Sequence, residues 1–196
     1  MNNSNNKLKR KLKLQVAISV DGCIAGPNYE MDWLISDDEI MKYIDDIAAS
    51  VDTIIMGRKM VDGFISHWSS RMNNSDDPWN AFAKKMIDIP KIVFTKTLNK
   101  SEWINTEIAK GDLKDEITKL KSQDEKDILV YGGASFDSSL IKEKQIDEFY
   151  LLVVPIVFGN GKTIFKDLKE IQKLTLIESK VFDCGVVLLH YEVKKN

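Results

Sequence analysis

The sequence predicts an α/β fold: an open, mostly parallel central sheet with helices on both faces and an antiparallel hairpin at the C-terminus. Three observations predict it. Strand-type and helix-type segments alternate through about three-quarters of the chain, the order that builds parallel strands joined by crossover helices. Near the start, Leu12, Leu14, Val16, Ile18 and Val20 alternate with Lys13, Gln15, Ala17 and Ser19 at the period of a strand. At the other end, residues 174–182 and 186–193 flank the turn Asp183-Cys184-Gly185, a hairpin signature. The 196 residues suit one domain, expected over 10–196, behind a polar, frayed, Asn-rich leader over 1–9.

Each element between has its own signal. Asp21-Gly22 ends the first strand, and Gly26-Pro27-Asn28 makes a loop. Ser36, with Glu39 three residues on, forms a capping box with the serine at the N-cap. It opens a helix whose buried stripe is Ile40, Ile44, Ile47 and Ala48. Residues 52–57 read as a short buried strand ending at a glycine, where a short helix opens. Residues 66–77 read as a polar loop, and Asp77-Pro78 starts a helix, with proline at its first position, that runs to Asp88. Residues 90–95 and 103–108 are short strands, and 112–122 is an amphipathic helix with Leu113, Ile117 and Leu120 on one side. Strand 127–131 meets the tight turn Gly132-Gly133, helix 135–144 follows, and 147–157 is a long apolar strand with Pro155 near its end.

Composition excludes several function classes. Hydrophobic residues make up 43% and charged residues 30%, the profile of a globular protein with a real core. With 28 basic against 30 acidic residues the net charge is −2, so a whole-surface basic field for nucleic acid is not expected. No apolar run approaches the roughly 20 residues that span a bilayer. The N-terminus lacks a signal-peptide core, and a cytoplasmic location is expected. Cys23 and Cys184 are far apart and outside any CxxC, so a disulfide scaffold and a cysteine-rich zinc site are not indicated. His67 and His190 lack partners at ligand spacing, so no metal is expected.

Three strands end in turns that suit phosphate. They are Met56-Gly57-Arg58-Lys59, Phe94-Thr95-Lys96-Thr97 and Tyr131-Gly132-Gly133-Ala134-Ser135. Ligands of open α/β sheets bind beyond the carboxyl ends of the strands. A helix N-terminus offers free N–H groups and partial positive charge there, and glycine allows close approach. Each turn alone is weak, since such turns use glycine anyway; the repetition suggests a phosphate-rich dinucleotide across the strand ends. The GxGxxG fingerprint is absent, which disfavours a standard Rossmann domain. Gly159-Asn160-Gly161-Lys162-Thr163 resembles the end of a P-loop, but Ile156 stands where the first glycine is required, so it reads as a turn. Ser135, Asp183 and His190 follow the order of a serine hydrolase, but Asp137 replaces the elbow's final glycine and His190 alternates within a strand. Asp32, Asp37, Asp38 and Glu39 either cap the following helix or place an acid in a cleft beside Trp33, where a carboxylate could hold an N–H pair of a flat ring.

Residues 19–26 (Ser-Val-Asp-Gly-Cys-Ile-Ala-Gly), 56–59, 91–95 and 130–134 resemble the dihydrofolate-reductase-like superfamily. The stretch from Ile146 to Gly161, with Asp147-Glu148, Pro155 and Gly159-x-Gly161, is similar to the reductase domain of bacterial riboflavin biosynthesis, the RibD C-terminal domain family. The resemblance covers roughly residues 10 to 195. It implies a dihydrofolate reductase-like sheet, NADPH as hydride donor and a homodimer. It also implies that Gly57, Arg58 and Lys59 form a first phosphate turn, and that Thr95 and Lys96 lie near the adenosine phosphate. Gly132, Gly133, Ala134 and Ser135 would form the pyrophosphate turn, with Ala17 and Ile24 flanking the nicotinamide. Arg58 and Lys96 favour a 2′-phosphate, hence NADPH over NADH, on charge grounds. Met31-Asp32-Trp33 followed by Asp38 is spaced like the Met-x-Trp and ring-anchoring acid of dihydrofolate reductases, although the prolines of that pattern are missing. No counterpart of the deaminase half of the bifunctional riboflavin enzyme is expected within these residues. The expectation is an NADPH-dependent reductase acting on a pteridine-like or phosphoribosylaminouracil-type substrate, with Trp33 and Asp38 at the substrate and Asp38 as the catalytic acid. The rival is a non-catalytic nucleotide- or ligand-binding protein on the same fold.

Overall fold

A computed structural model of the protein describes residues 10–35, 37–123 and 125–194. Its strands, in chain order, are β1 (Leu12–Ser19), β2 (Cys23–Ala25), β3 (Val51–Gly57), β4 (Lys91–Phe94), β5 (Thr106–Ala109), β6 (Asp127–Gly132), β7 (Glu148–Val154), β8 (Lys162–Thr163), β9 (Leu174–Val181) and β10 (Val187–Val193). Its helices are α1 (Asp38–Ala49), α2 (Arg58–Met72), α3 (Asn80–Asp88), α4 (Leu113–Lys121) and α5 (Ala134–Lys142). Eight strands form one sheet in the order β5-β4-β3-β6-β1-β7-β10-β9. The pairings from β5 to β7 are parallel, and β10 runs antiparallel to both β7 and β9. The expected sheet and closing hairpin are both present. Among the described residues no helix is long and apolar enough to cross a membrane.

Two apolar layers sandwich the sheet. On one side Ile47 of α1, Phe64 and Trp68 of α2, and Met86 of α3 pack against Ile54, Met56 and Leu129. On the other, Ile117 of α4 and Leu140 of α5 pack against Leu12, Leu14, Ile55, Ile128 and Val130. Neighbouring residues of β3 and β6 thus enter opposite layers. That is why the middles of these strands, Ile54-Ile55-Met56 and Ile128-Leu129-Val130, are continuously apolar, as central parallel strands covered on both faces must be. Lys13 falls in the polar phase of β1 yet is buried; its ammonium lies 2.8 Å from Asp127 and donates to Ser50 Oγ at 2.9 Å. Covering both faces forces such a charge to find partners.

Three local expectations are corrected, and one element is added. The N-cap of α1 is Asp37, not Ser36: its Oδ1 accepts from the amides of Glu39 (2.9 Å) and Ile40 (3.2 Å). Ser36 itself, like the leader over 1–9, lies outside the described residues. The supposed loop 66–77 is helical through Met72. Val61, Phe64 and Trp68, at i, i+3 and i+7, are buried, and this stripe outweighs the low helix propensity of the serines and histidine around it. Pro78 precedes α3 rather than opening it, in a turn where Asp77 Oδ1 accepts from the Trp79 amide at 2.8 Å. The loops after β1 and β7 hold an unforeseen ribbon: β2 pairs antiparallel with β8.

Candidate functional site

Strand order brings the three turns together. β4, β3, β6 and β1 are consecutive in the sheet, so their carboxyl ends form one continuous edge. Gly57 is the N-cap of α2 and Gly133 the N-cap of α5, and neither helix start has a side-chain cap. Two helix N-termini therefore present unsatisfied N–H groups at neighbouring strand ends. The first turns of these helices interlock. A Cβ on Gly57 would lie 3.0 Å from Phe136 Cβ, and one on Gly133 would lie 3.1 Å from Met60 Cγ. Gly133 also has φ of +108°, in the region that favours glycine. Phe94, at the end of β4, packs on Phe136 with centroids 5.1 Å apart and ties the third turn to the other two.

The predicted cations differ in their engagement. Arg58 donates to Asp62 at 2.8 Å, and its guanidinium lies 4.7 Å from the Trp103 ring centroid. Trp103 Nε1 donates to the same carboxylate at 2.9 Å, and the Asp62 carboxyl is held below its usual range chiefly by Arg58 and then by this indole. Lys59 and Lys96 are exposed. Thr95 Oγ1 accepts from the Thr97 amide at 3.2 Å and shapes the turn that carries Lys96. Ala134 and Ser135 occupy the first positions of α5, with Ser135 exposed.

One residue at this edge escaped the sequence reading as a site element. Asp137, in the first turn of α5, is 1% exposed, and its Oδ1 has no hydrogen-bond partner. Its Oδ2 would lie 3.1 Å from a Cβ on Gly132. Burial pushes its carboxyl up to about 7. An acid near an elbow motif in the sequence carries no sign that it will be desolvated.

The other half of the edge lies around β1 and α1. Ala17 packs into the α1–α3 layer, whereas Ile24, on β2, packs into the α4–α5 layer. Trp33 is half-buried; its Nε1 donates to the Glu30 carbonyl at 3.0 Å, and its ring meets Phe158 edge-on, with centroids 5.5 Å apart. Asp38 is exposed at the first position of α1, and Trp79 Nε1 donates to its Oδ1 at 3.4 Å. Arg71 lies 5.1 Å from the Trp79 ring centroid and is paired with Asp77 at 3.1 Å. Trp79 therefore links the Asp38 acid to the end of α2, a long-range contact with no local signature.

The hydrolase arrangement is not assembled. His190 lies 3.3 Å from Glu148 and stacks on Tyr150, near the start of β7, whereas Ser135 follows the end of β6. The P-loop-like segment runs into β8, as a turn should. Among the described residues no group of three or more His, Cys, Asp or Glu side chains could hold a metal ion. Both cysteines are free thiols.

The family model described as the RibD C-terminal domain matches residues 10–188, and the chain belongs to that family. The Bacillus subtilis (strain 168) protein YyaP, itself uncharacterized, is 34% identical over an alignment of 198 residues that covers 96% of this chain and 97% of YyaP. A Shewanella sp. PV-4 protein provisionally named for riboflavin biosynthesis superposes with a TM-score of 0.75 at 23% identity, covering 94% of this chain and 99% of that one. Dihydrofolate reductase from Enterococcus faecalis, solved with NADP(H), superposes with a TM-score of 0.60 at 13% identity, covering 94% and 97% of the two chains. At such identities the structural likeness shows the fold alone, and that fold is dihydrofolate reductase-like.

Proposed function

We propose that the protein is an NADPH-dependent reductase that delivers hydride to a C=N or C=O group of a flat heterocycle, either pteridine-like or of the phosphoribosylaminouracil type. The observation that carries this reading is the continuous edge of β4, β3, β6 and β1, where two uncapped helix starts meet at Gly57 and Gly133. That cradle suits a diphosphate: the first N–H groups of α2 and α5 have no side-chain cap, and Gly57 and Gly133 let the two helix starts approach each other closely. Gly57, Gly132, Gly133, Ala134 and Ser135 would hold the pyrophosphate. Lys59, Lys96 and Thr95 would meet the adenosine end, with Arg58 joining them on release from Asp62. A 2′-phosphate suits these cations better than a bare ribose. The bound nicotinamide, between Ala17 and Ile24, would supply the hydride.

The protein's own share of the chemistry is position and charge. Trp33 offers an aromatic wall to a flat substrate. Asp38, with one oxygen on the Trp79 indole, has the other available for a ring N–H or for handing on a proton. A homodimer fits the hairpin edge, where β9 exposes Leu176, Ile177 and Val181. The test is NADPH oxidation with dihydropterins and phosphoribosylaminouracils as acceptors, in the wild type and in Asp38→Asn. The variant should keep its NADPH affinity and lose about 100-fold in turnover, the usual scale of a general acid. Equal turnover in the two proteins would remove Asp38 from the mechanism, and no oxidation with any acceptor would favour a binding protein.

A further inference from the structure

We propose that Asp21 is a positioning residue that latches together three segments around Trp33; the inference rests on the reading of Trp33 as the substrate's aromatic wall. The segments are the turn after β1, the loop over 26–33, and the connection from β7 to β8. Asp21 is itself exposed, outside either apolar layer, so its carboxylate serves something other than the core. Its Oδ1 accepts from Ser19 Oγ at 2.5 Å and from the Phe158 amide at 3.2 Å, and its Oδ2 accepts from the Gly159 amide at 2.7 Å. Ser19 is fully buried, and its Oγ also accepts from the Cys23 amide at 2.9 Å, which anchors the carboxylate to the end of β1. The Val20 amide donates to the Ile156 carbonyl at 2.9 Å, completing the junction between the first turn and the β7–β8 connection.

The latch reaches the wall through one ring. Phe158, whose amide Asp21 holds, meets Trp33 edge-on. Phe158 is also the ring that a Cβ on Gly26 would approach to 3.3 Å, so it touches both ends of the 26–33 loop. Residues 27–32 are exposed, so this loop has little burial of its own to fix it. The Asp21 carboxyl is held below the usual carboxylate range, first by the Ser19 hydroxyl and then by the two amides, as the three hydrogen bonds require.

Asp21→Asn tests this with little change of shape. Asparagine keeps one acceptor oxygen, but its amide nitrogen can only donate, and it faces either the Phe158 or the Gly159 N–H. Hydrogen exchange on the intact protein should quicken in both 26–34 and 156–161 while the amides of β1 and β7 stay protected. The substrate KM should rise about tenfold, the scale of one lost charge-assisted hydrogen bond, with kcat and NADPH affinity nearly unchanged. Phe158→Leu should quicken exchange in 26–34 alone, leaving the turn after β1 protected. Faster exchange confined to 158–161, or an unchanged KM beside faster exchange, would overturn the latch. If the wild type fails to oxidise NADPH with any of the acceptors offered, the functional reading fails instead, and exchange in 26–34 still decides whether Asp21 holds that loop.

Discussion

Asp137→Asn should become more stable than the wild type as pH rises, with a gap between the two that widens from about pH 4 to about pH 8. The carboxyl is almost completely buried without a partner for Oδ1, and burial pushes it up to about 7 from an unfolded value of 3.8. Between these values the native state binds a proton that the unfolded state has released, so wild-type stability falls as pH increases. The contribution of the neutral acid is fully present below 3.8 and is lost as pH passes about 7. A rise from 3.8 to about 7 corresponds to about 4 kcal/mol as an upper bound, since water entering an opened turn would relieve part of the penalty. Asparagine does not titrate, so the pH dependence of the difference, measured by urea unfolding at several pH values, isolates Asp137 from any constant packing cost. A gap that stays flat with pH would mean that the carboxyl is solvated or paired.

Gly133→Ala should damage fold and cofactor site together. The backbone there sits at φ +108°, and the new methyl would meet Met60 Cγ at 3.1 Å. Strain of this kind costs of order 1–3 kcal/mol when a side chain is forced into it. Relief requires the turn to reorient or the start of α2 to retreat from α5, and either movement displaces the N–H groups proposed to cradle the diphosphate. NADPH affinity should therefore fall more than about tenfold. Gly63→Ala is the control, because nothing lies within 4 Å of a Cβ at that position and it is on the body of α2. Thermal unfolding with and without NADPH separates the two effects. If Gly133→Ala loses stability but keeps its NADPH affinity, the turn is structural only.

The contrast between these residues shows what a sequence makes legible. Gly57, Gly132 and Gly133 stand at the ends of apolar runs, so period and punctuation reveal them as turns. Their meeting on one edge depends on β6 entering the sheet between β3 and β1, and alternation along each strand does not specify that order. Strand patterns were readable where side chains decide burial locally, as in β1. They failed for β2 and β8, whose three and two residues are fixed by pairing with each other. The end of α2 resembles a loop because Ser66, His67, Ser69 and Ser70 crowd it and Asn73-Asn74 follow; only the spacing of Val61, Phe64 and Trp68 marks its buried face. At the candidate site, the desolvation of Asp137, the engagement of Arg58 with Trp103 and the Trp79–Asp38 hydrogen bond all join residues distant in sequence or depend on the packing around them. The chemistry of each residue was visible beforehand, and its surroundings were not.

The proposed NADPH site spans the ends of β4, β3, β6 and β1. Its most direct test is to titrate the wild-type protein with NADPH and NADH side by side, following tryptophan fluorescence and thermal unfolding. A ligand that binds only the native state adds RT ln(1 + [L]/Kd), about 2.7 kcal/mol at a hundredfold excess over Kd. NADPH should stabilise the protein and quench its fluorescence at lower concentration than NADH. A folded protein that responds to neither nucleotide would contradict the site.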